Sequence, residues 1–271
     1  MELTIGWLYP DLMSIYGDRG NIICLLKRCQ WREIKVKLEN ISLTSHFSLL
    51  TSCDLLFMGG AQDRQQKIAA KDLQETKGPI IKEMIENFVP GLFVCGAYQF
   101  MGHFYRPANG KEIEGLHIFD LHTIHPGKNK PRCIGDIIVK TQSAKLKAQN
   151  DSEKVKTKIS NLEIREFDNF LVGFENHGGR TYLGNRVKPL GKVIVGFGNN
   201  GEDKTEGCLY KNAVGTYLHG PVLPKNPHVA DYLIKLALEK KYGDEVKLKP
   251  LDDSLEWQAH MAILAKLKIK N

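Results

Sequence analysis

The six cysteines of this chain, Cys24, Cys29, Cys53, Cys95, Cys133 and Cys208, form no CxxC pair and no Cys/His spacing of the kind that builds a zinc site. No apolar run approaches the roughly eighteen residues of a membrane-crossing helix. The first residues, Met-Glu-Leu-Thr-Ile-Gly-Trp, lack the basic-then-apolar pattern of a signal peptide. These absences point to a cytoplasmic protein with reduced thiols and no stable membrane insertion. There is no internal repeat and no G-x-x-x-x-G-K-[ST] loop, which excludes ATP binding of the P-loop kind. Helix-turn-helix and zinc-finger signatures are missing too.

The 271 residues are 42% hydrophobic, enough apolar side chains to bury a full core and to exclude fibrous or disordered classes. The formal charge is +7, and residues 127–158 hold nine basic against three acidic side chains, a local +6. That stretch has no interleaved aromatic residues for stacking on bases, so a solvated loop at 143–158 is favoured over a nucleic-acid surface.

Glu2 to Tyr9, Asp54 to Met58 and Gly91 to Cys95 are apolar strand-like runs, and Glu33 to Ile41 alternates. Helical spacing follows them at Asn21 to Arg32, at 63–88 with a division near Gly78-Pro79, and after Cys95. Strands alternating with helices argue for an α/β fold with a mostly parallel central sheet and helices on both faces. From Ile113 onward short strand-like runs dominate (Ile113 to Ile124, Gly135 to Thr141, Asn169 to Phe174, Lys192 to Gly196, Gly207 to Leu218), which reads as an antiparallel extension of the same sheet. Pro227 to Tyr242 and 254–268 read as helices. The expected organisation is one domain over 1–242 with a C-terminal helical extension, 243–271, packed on it.

Cys95 ends the run Leu92-Phe93-Val94 and is followed by Gly96-Ala97 and a helical pattern. A strand that turns sharply into a helix presents its turn residue at the carboxyl edge of a parallel sheet, where α/β sites gather and free N–H groups stabilise negative charge. This is the elbow logic of nucleophilic hydrolases, with sulfur in place of oxygen and Phe93 and Ala97 where glycines would stand. A buried structural cysteine remains the alternative. Gly59-Gly60 ends a neighbouring strand and could bring N–H groups to an oxyanion or serve as an ordinary turn. Among nine histidines His219, in Gly-Thr-Tyr-Leu-His-Gly-Pro, ends a strand at a break and is the best placed base.

Five ordered segments, LYPDLMSIYGDRGN (8–21), MGGAQDRQQ (58–66), VCGAYQFMG (94–102), GFENHGGRT (173–181) and GTYLHGP (215–221), resemble the glutamine amidotransferase subunits of bacterial lipid II isoglutaminyl synthases. These form part of the cobyric-acid-synthase-like branch of class I glutamine amidotransferases. The resemblance covers about residues 1–242. It implies a class I amidotransferase fold and a subunit that hydrolyses L-glutamine and passes ammonia to a MurT-like Mur ligase partner, in a heterodimer. That partner would use ATP and magnesium to amidate the D-glutamate α-carboxylate of lipid II; no cofactor or metal is expected in this chain. It further implies Cys95 as nucleophile, His219 as proton carrier, backbone N–H groups near Gly60 and Gly96 as the oxyanion hole, and Arg132 as the clamp on the glutamine α-carboxylate.

Two departures stand out. Related sequences carry glycine where this chain has Ala61 and Ala97, which matters only if those positions are left-handed. Many class I enzymes place a glutamate two residues after the histidine, whereas Gly220 and Pro221 follow His219 here. The resemblance therefore implies that the third acid comes from the partner, with weak activity of the isolated chain; Glu175 is the intramolecular candidate. An ammonia-supplying subunit of a cobyrinate-type amidation and a non-catalytic basic module are the competing readings.

Overall fold

The computed structural model describes every residue except 16, 128, 142–168, 244–245 and 268–271. The basic loop expected at 143–158 lies outside the described residues. In chain order the first half runs β1 (Glu2–Leu8), α1 (Arg19–Trp31), β2 (Lys35–Ile41), α2 (Phe47–Thr51), β3 (Leu55–Met58), α3 (Asp63–Asp72), α4 (Gly78–Glu86), β4 (Gly91–Val94) and α5 (Gly96–Phe100). The helical pattern over 63–88 divides where the sequence suggested: α3 passes through a π turn at Leu73–Lys77 into α4, whose second residue is Pro79. β3 and β4 are buried at every position, which follows from having helices on both faces of the sheet.

The second half supplies β5 (Phe104–Arg106), β6 (Ile113–Glu114), β7 (Leu121–Ile124), β8 (Cys133–Thr141), β9 (Phe170–His177), β10 (Arg180–Leu183), β11 (Gly191–Val195), β12 (Thr205–Glu206), β13 (Cys208–Tyr210), β14 (Ala213–Thr216), α6 (Pro227–Tyr242) and α7 (Ser254–Lys266). The main sheet has the order β13-β14-β4-β3-β1-β2. Its last five strands are parallel, and β13 alone runs antiparallel, at the edge beside β14.

The antiparallel extension is thus a single strand, and the other strands of the second half form two separate four-stranded sheets, β10-β7-β5-β6 and β12-β11-β8-β9. The reason is that β8 and β9 pair over eight residues and carry an apolar face of their own. Ile138, Phe170 and Val172 on that face pack against Trp257, Met261 and Leu264 of α7, a second small core. The run from Ile113 to Ile124 is likewise not one strand. Its middle is strapped to the end of α5 by the N–H groups of Leu116, His117 and Ile118, which donate to the carbonyls of Phe100, Gly102 and Met101.

A buried charge cluster ties the C-terminal segment to the first helix. Arg28 on α1 is 1% exposed and bonds Asp231 of α6 and Asp253 just before α7 at 2.6–2.9 Å. Arg32 adds bonds to Asp231 and to the Lys249 carbonyl. Four charges in one buried patch are tolerable only because each is paired. Arg28→Met should therefore lower stability by about 3 kcal/mol, the low end for a broken buried pair, because the Asp231 side chain keeps 26% of its surface in water. Urea unfolding of the variant checks this.

Candidate active site

Strands β1, β3, β4 and β14 run parallel, so the segments that leave their carboxyl ends meet at one edge of the sheet. Asp18 follows β1, Gly59 and Gly60 follow β3, Cys95 follows β4 and His219 follows β14.

Cys95 has φ 53° and ψ −105°, a left-handed conformation that costs a non-glycine residue on the order of 1–3 kcal/mol. The surrounding bonds impose it: its N–H donates to the Thr216 carbonyl at 2.9 Å and its own carbonyl accepts the Gln99 N–H at 3.0 Å. The sharp turn sends the backbone from β4 into α5 and leaves the thiol at the sheet edge, 6% exposed. Gly96 must lack a Cβ, since one would stand 2.4 Å from the Gln66 amide nitrogen. Ala61 and Ala97 both lie outside the positive-φ residues, so neither departure from glycine carries backbone strain.

Gly60 marks the point of convergence. A Cβ built there would lie 3.2 Å from the Cys95 Cβ and 3.2 Å from the His219 Cε1. At Gly59 it would come within 2.7 Å of the Asp18 carboxylate. The paired glycines therefore make room, one for Asp18 and the other for the Cys95–His219 contact.

Asp18 was not identified as a site residue from the sequence, although it lies in the YGDRGN segment. It is fully buried; its Oδ2 accepts the Gly60 N–H at 2.7 Å, and its Oδ1 lies 3.4 Å from His219 Nδ1. This carboxylate stands beside His219 within the chain, whereas the resemblance implied an acid from the partner. The Gly60 N–H, expected near the oxyanion, donates to Asp18; Gly96, as the first residue of α5, has no intrahelical acceptor for its N–H. Glu175 is not the orienting acid: it is buried on β9 and accepts the N–H groups of Phe197 and Gly198 at 2.6 and 2.9 Å, with His177 beside it.

His219 is 2% exposed. Burial pulls its pKa down, but the charge on Cys95 and hydrogen bonds to Asp18 and Cys95, with the charge on Asp18, outweigh that and push it up to about 10. Its backbone is fixed by a two-way pairing with Phe174 of β9.

Cys95 opens into a cleft of about 530 Å³ whose walls include Ala61, Gln66, Gln99, Arg132 and Asn176. Arg132 stands at its rim, just before β8, with Nε and Nη2 donating to the side chain and carbonyl of Asn176 at 3.1 Å. Gly178 leaves space for the opposite edge of the guanidinium, since a Cβ there would lie 3.2 Å from Nη1. Cys133, the next residue, is fully buried and does not line the cleft. The floor is stiffened by a buried chain in which Gln99 donates to the Tyr217 hydroxyl, itself bonded to Thr181 and thence Thr123. Among the described residues, no group of three or more His, Cys, Asp or Glu side chains could hold a metal ion.

The arrangement offers a thiol nucleophile, an imidazole in contact with it, a carboxylate behind the imidazole and a cationic clamp across the cleft. Residues 4–227 match the family of CobB/CobQ-like glutamine amidotransferase domains. The chain is 42% identical over 265 residues to the GatD subunit of lipid II isoglutaminyl synthase (glutamine-hydrolyzing) from Staphylococcus aureus strain N315, covering 97% of this chain and 95% of that protein. It is 39% identical to the GatD subunit from Streptococcus pneumoniae, over 94% and 87% of the two chains. A solved glutamine amidotransferase superposes with a TM-score of 0.55 at 13% identity, over 86% of this chain and 98% of that one, which speaks to the fold alone.

The His219 environment has a pH signature. Its folded-state pKa lies above the ordinary 6.5, so its contribution to stability is complete below that pH and is lost as pH rises through about 10. Asp18→Asn removes two of the causes that raise it, and should lower the His219 titration midpoint in NMR and flatten the fall of urea resistance between those pH values.

Proposed function

The chain belongs to the CobB/CobQ-like glutamine amidotransferase family, and from that premise we propose that its cleft is the glutaminase centre of a lipid II isoglutaminyl synthase. The protein is the glutamine-hydrolysing subunit of that enzyme, in peptidoglycan synthesis. Full-length similarity to such subunits favours this reading over a cobyrinate-type amidation.

Cys95, its proton passed to His219, attacks the side-chain carboxamide carbon of L-glutamine as a thiolate, and the electron pair moves to the carbonyl oxygen, stabilised by backbone N–H groups that include that of Gly96. His219 gives that proton to the departing nitrogen, so that ammonia leaves and a thioester remains. The same imidazole then takes a proton from water as the water adds to the thioester; collapse releases glutamate, and the imidazolium returns its proton to the sulfur. Asp18 holds the imidazole by Nδ1 and compensates its positive charge throughout. Arg132 takes the α-carboxylate of glutamine on the edge that Asn176 leaves open.

The reaction ends in ammonia, which needs an acceptor and an energy source. We assign both, with ATP and magnesium, to a MurT-like ligase partner that amidates the D-glutamate α-carboxylate of lipid II. Among the described residues no helix is long and apolar enough to cross a membrane. The subunit works in the cytoplasm, where its partner's ATP is found.

The observation that carries this reading is the convergence of Cys95, His219 and Asp18 around Gly60 at the edge of the parallel sheet. Ammonia release from glutamine, measured with and without the ligase partner, tests it. Cys95→Ala should reduce release by at least about 10³-fold; unchanged release would remove Cys95 from the mechanism. Arg132→Ala should raise KM by roughly 10-fold or more while kcat changes little, as expected for losing hydrogen bonds to a charged group.

A further inference from the structure

His219 lies in a loop, not in a strand, and nothing in its own residue type holds it against Cys95. Two buried bridges close on that loop from opposite sides. The first is Asn226, fully buried where the loop ends and α6 begins. Its Oδ1 accepts the Val172 N–H at 2.9 Å, and its Nδ2 donates to the Val172 carbonyl at 2.8 Å and to the Val222 carbonyl at 2.7 Å. Val172 stands two residues before Phe174, whose backbone pairs with His219 in both directions. Val222 stands three residues after His219. The amide therefore closes a ring of backbone: His219 to Val222, across Asn226 to Val172, along β9 to Phe174, and back to His219. Each group in it is positioned by the others.

The second bridge comes from α1, the helix whose N-terminus carries Asp18. Asn21 Oδ1 accepts the Leu223 N–H at 2.9 Å, and Gly20 lies flat against Pro221, where a Cβ would approach Pro221 Cγ to 2.4 Å. The helix that presents the carboxylate thus also abuts the loop that presents the imidazole.

We propose that Asn226 is a positioning residue for glutamine hydrolysis, clamping the His219 loop to β9 so that the imidazole stays between Asp18 and Cys95. This rests on the assignment of His219 as proton carrier. An asparagine suits the task because one planar amide answers both groups of Val172 and a second carbonyl at once. Asp18 and Cys95 are the titrating groups that face the imidazole, and the Lys225 ammonium lies at the loop beside Gly220.

The test uses the full chain, with its ligase partner for turnover. Asn226→Asp keeps the acceptor for the Val172 N–H and turns the donating nitrogen into an oxygen that repels two carbonyls. Gly20→Ala moves the same loop from the other side through Pro221, in a residue that helix propensity favours. Leu50→Ala, which truncates a fully buried side chain of α2 where that helix packs on α4 and on β2 at the far edge of the main sheet, is the control for general destabilisation. Both loop variants should lose about 10-fold or more in kcat with KM within about twofold, as a misplaced catalytic group does, whereas Leu50→Ala keeps its kcat. Alkylation of Cys95 by iodoacetamide across pH, followed by mass spectrometry, should shift its inflection in the loop variants and not in the control. If folded Asn226→Asp and Gly20→Ala keep both the wild-type kcat and the wild-type alkylation profile, the inference is overturned. If the wild type releases no ammonia from glutamine, the glutaminase reading fails, and the alkylation profile still decides whether Asn226 places His219 against Cys95.

Discussion

The carboxylate of Asp18 is the contact on which the site depends. It is fully buried and has two oxygens to satisfy: one takes the Gly60 N–H, the other faces His219 Nδ1. A buried carboxylate without such partners would be costly enough to distort its surroundings. With them it joins the turn after β3 to the loop after β14, and these two segments flank the cysteine. The same charge supports the proton on His219 in a place where burial alone would strip it.

Strain at Cys95 belongs to the same logic. The residue is held left-handed by hydrogen bonds from both sides, to Thr216 and from Gln99, and the conformational cost is met by the fully buried strand that precedes it. Glycines surround the turn because space is short: a Cβ would overlap Gln66 at Gly96 and Asp18 at Gly59, and would press tightly on Cys95 and His219 at Gly60. What looks in the sequence like a set of flexible positions is a set of crowded ones.

The C-terminal segment has a structural part in the same arrangement. α7 covers the outer face of β8 and β9, and the Arg28–Asp231–Asp253 cluster ties it to α1. β9 and α1 are the two elements that grip the His219 loop, so the extension supports the site without touching it. The charge cluster adds to the small apolar contact that α7 makes through Trp257, Met261 and Leu264.

Local signals were legible wherever chemistry and chain direction coincide. Apolar runs ending at Gly59, at Cys95 and just before His219 mark three carboxyl-edge turns, because a parallel sheet sends such turns to one side. The strand-to-helix turn picked out Cys95, and the break after Leu218 picked out His219. Pairings across sequence distance were not legible: Asp18 lies 201 residues from His219, and no periodicity relates them. The same limit hid the separation of β8 and β9 into their own sheet, since strand pattern reports which residues alternate and not which strand they meet. It hid the fate of the Gly60 N–H as well, for a backbone donor shows no residue type. Sequence by itself determined the alternation of strand and helix, the elbow cysteine and the histidine at the break beyond a strand; these are properties of neighbours along the chain. Only the tertiary structure decided which acid stands behind that histidine, which N–H groups are already occupied and which amide holds the loop, because each of these depends on atoms that folding alone brings within hydrogen-bond reach.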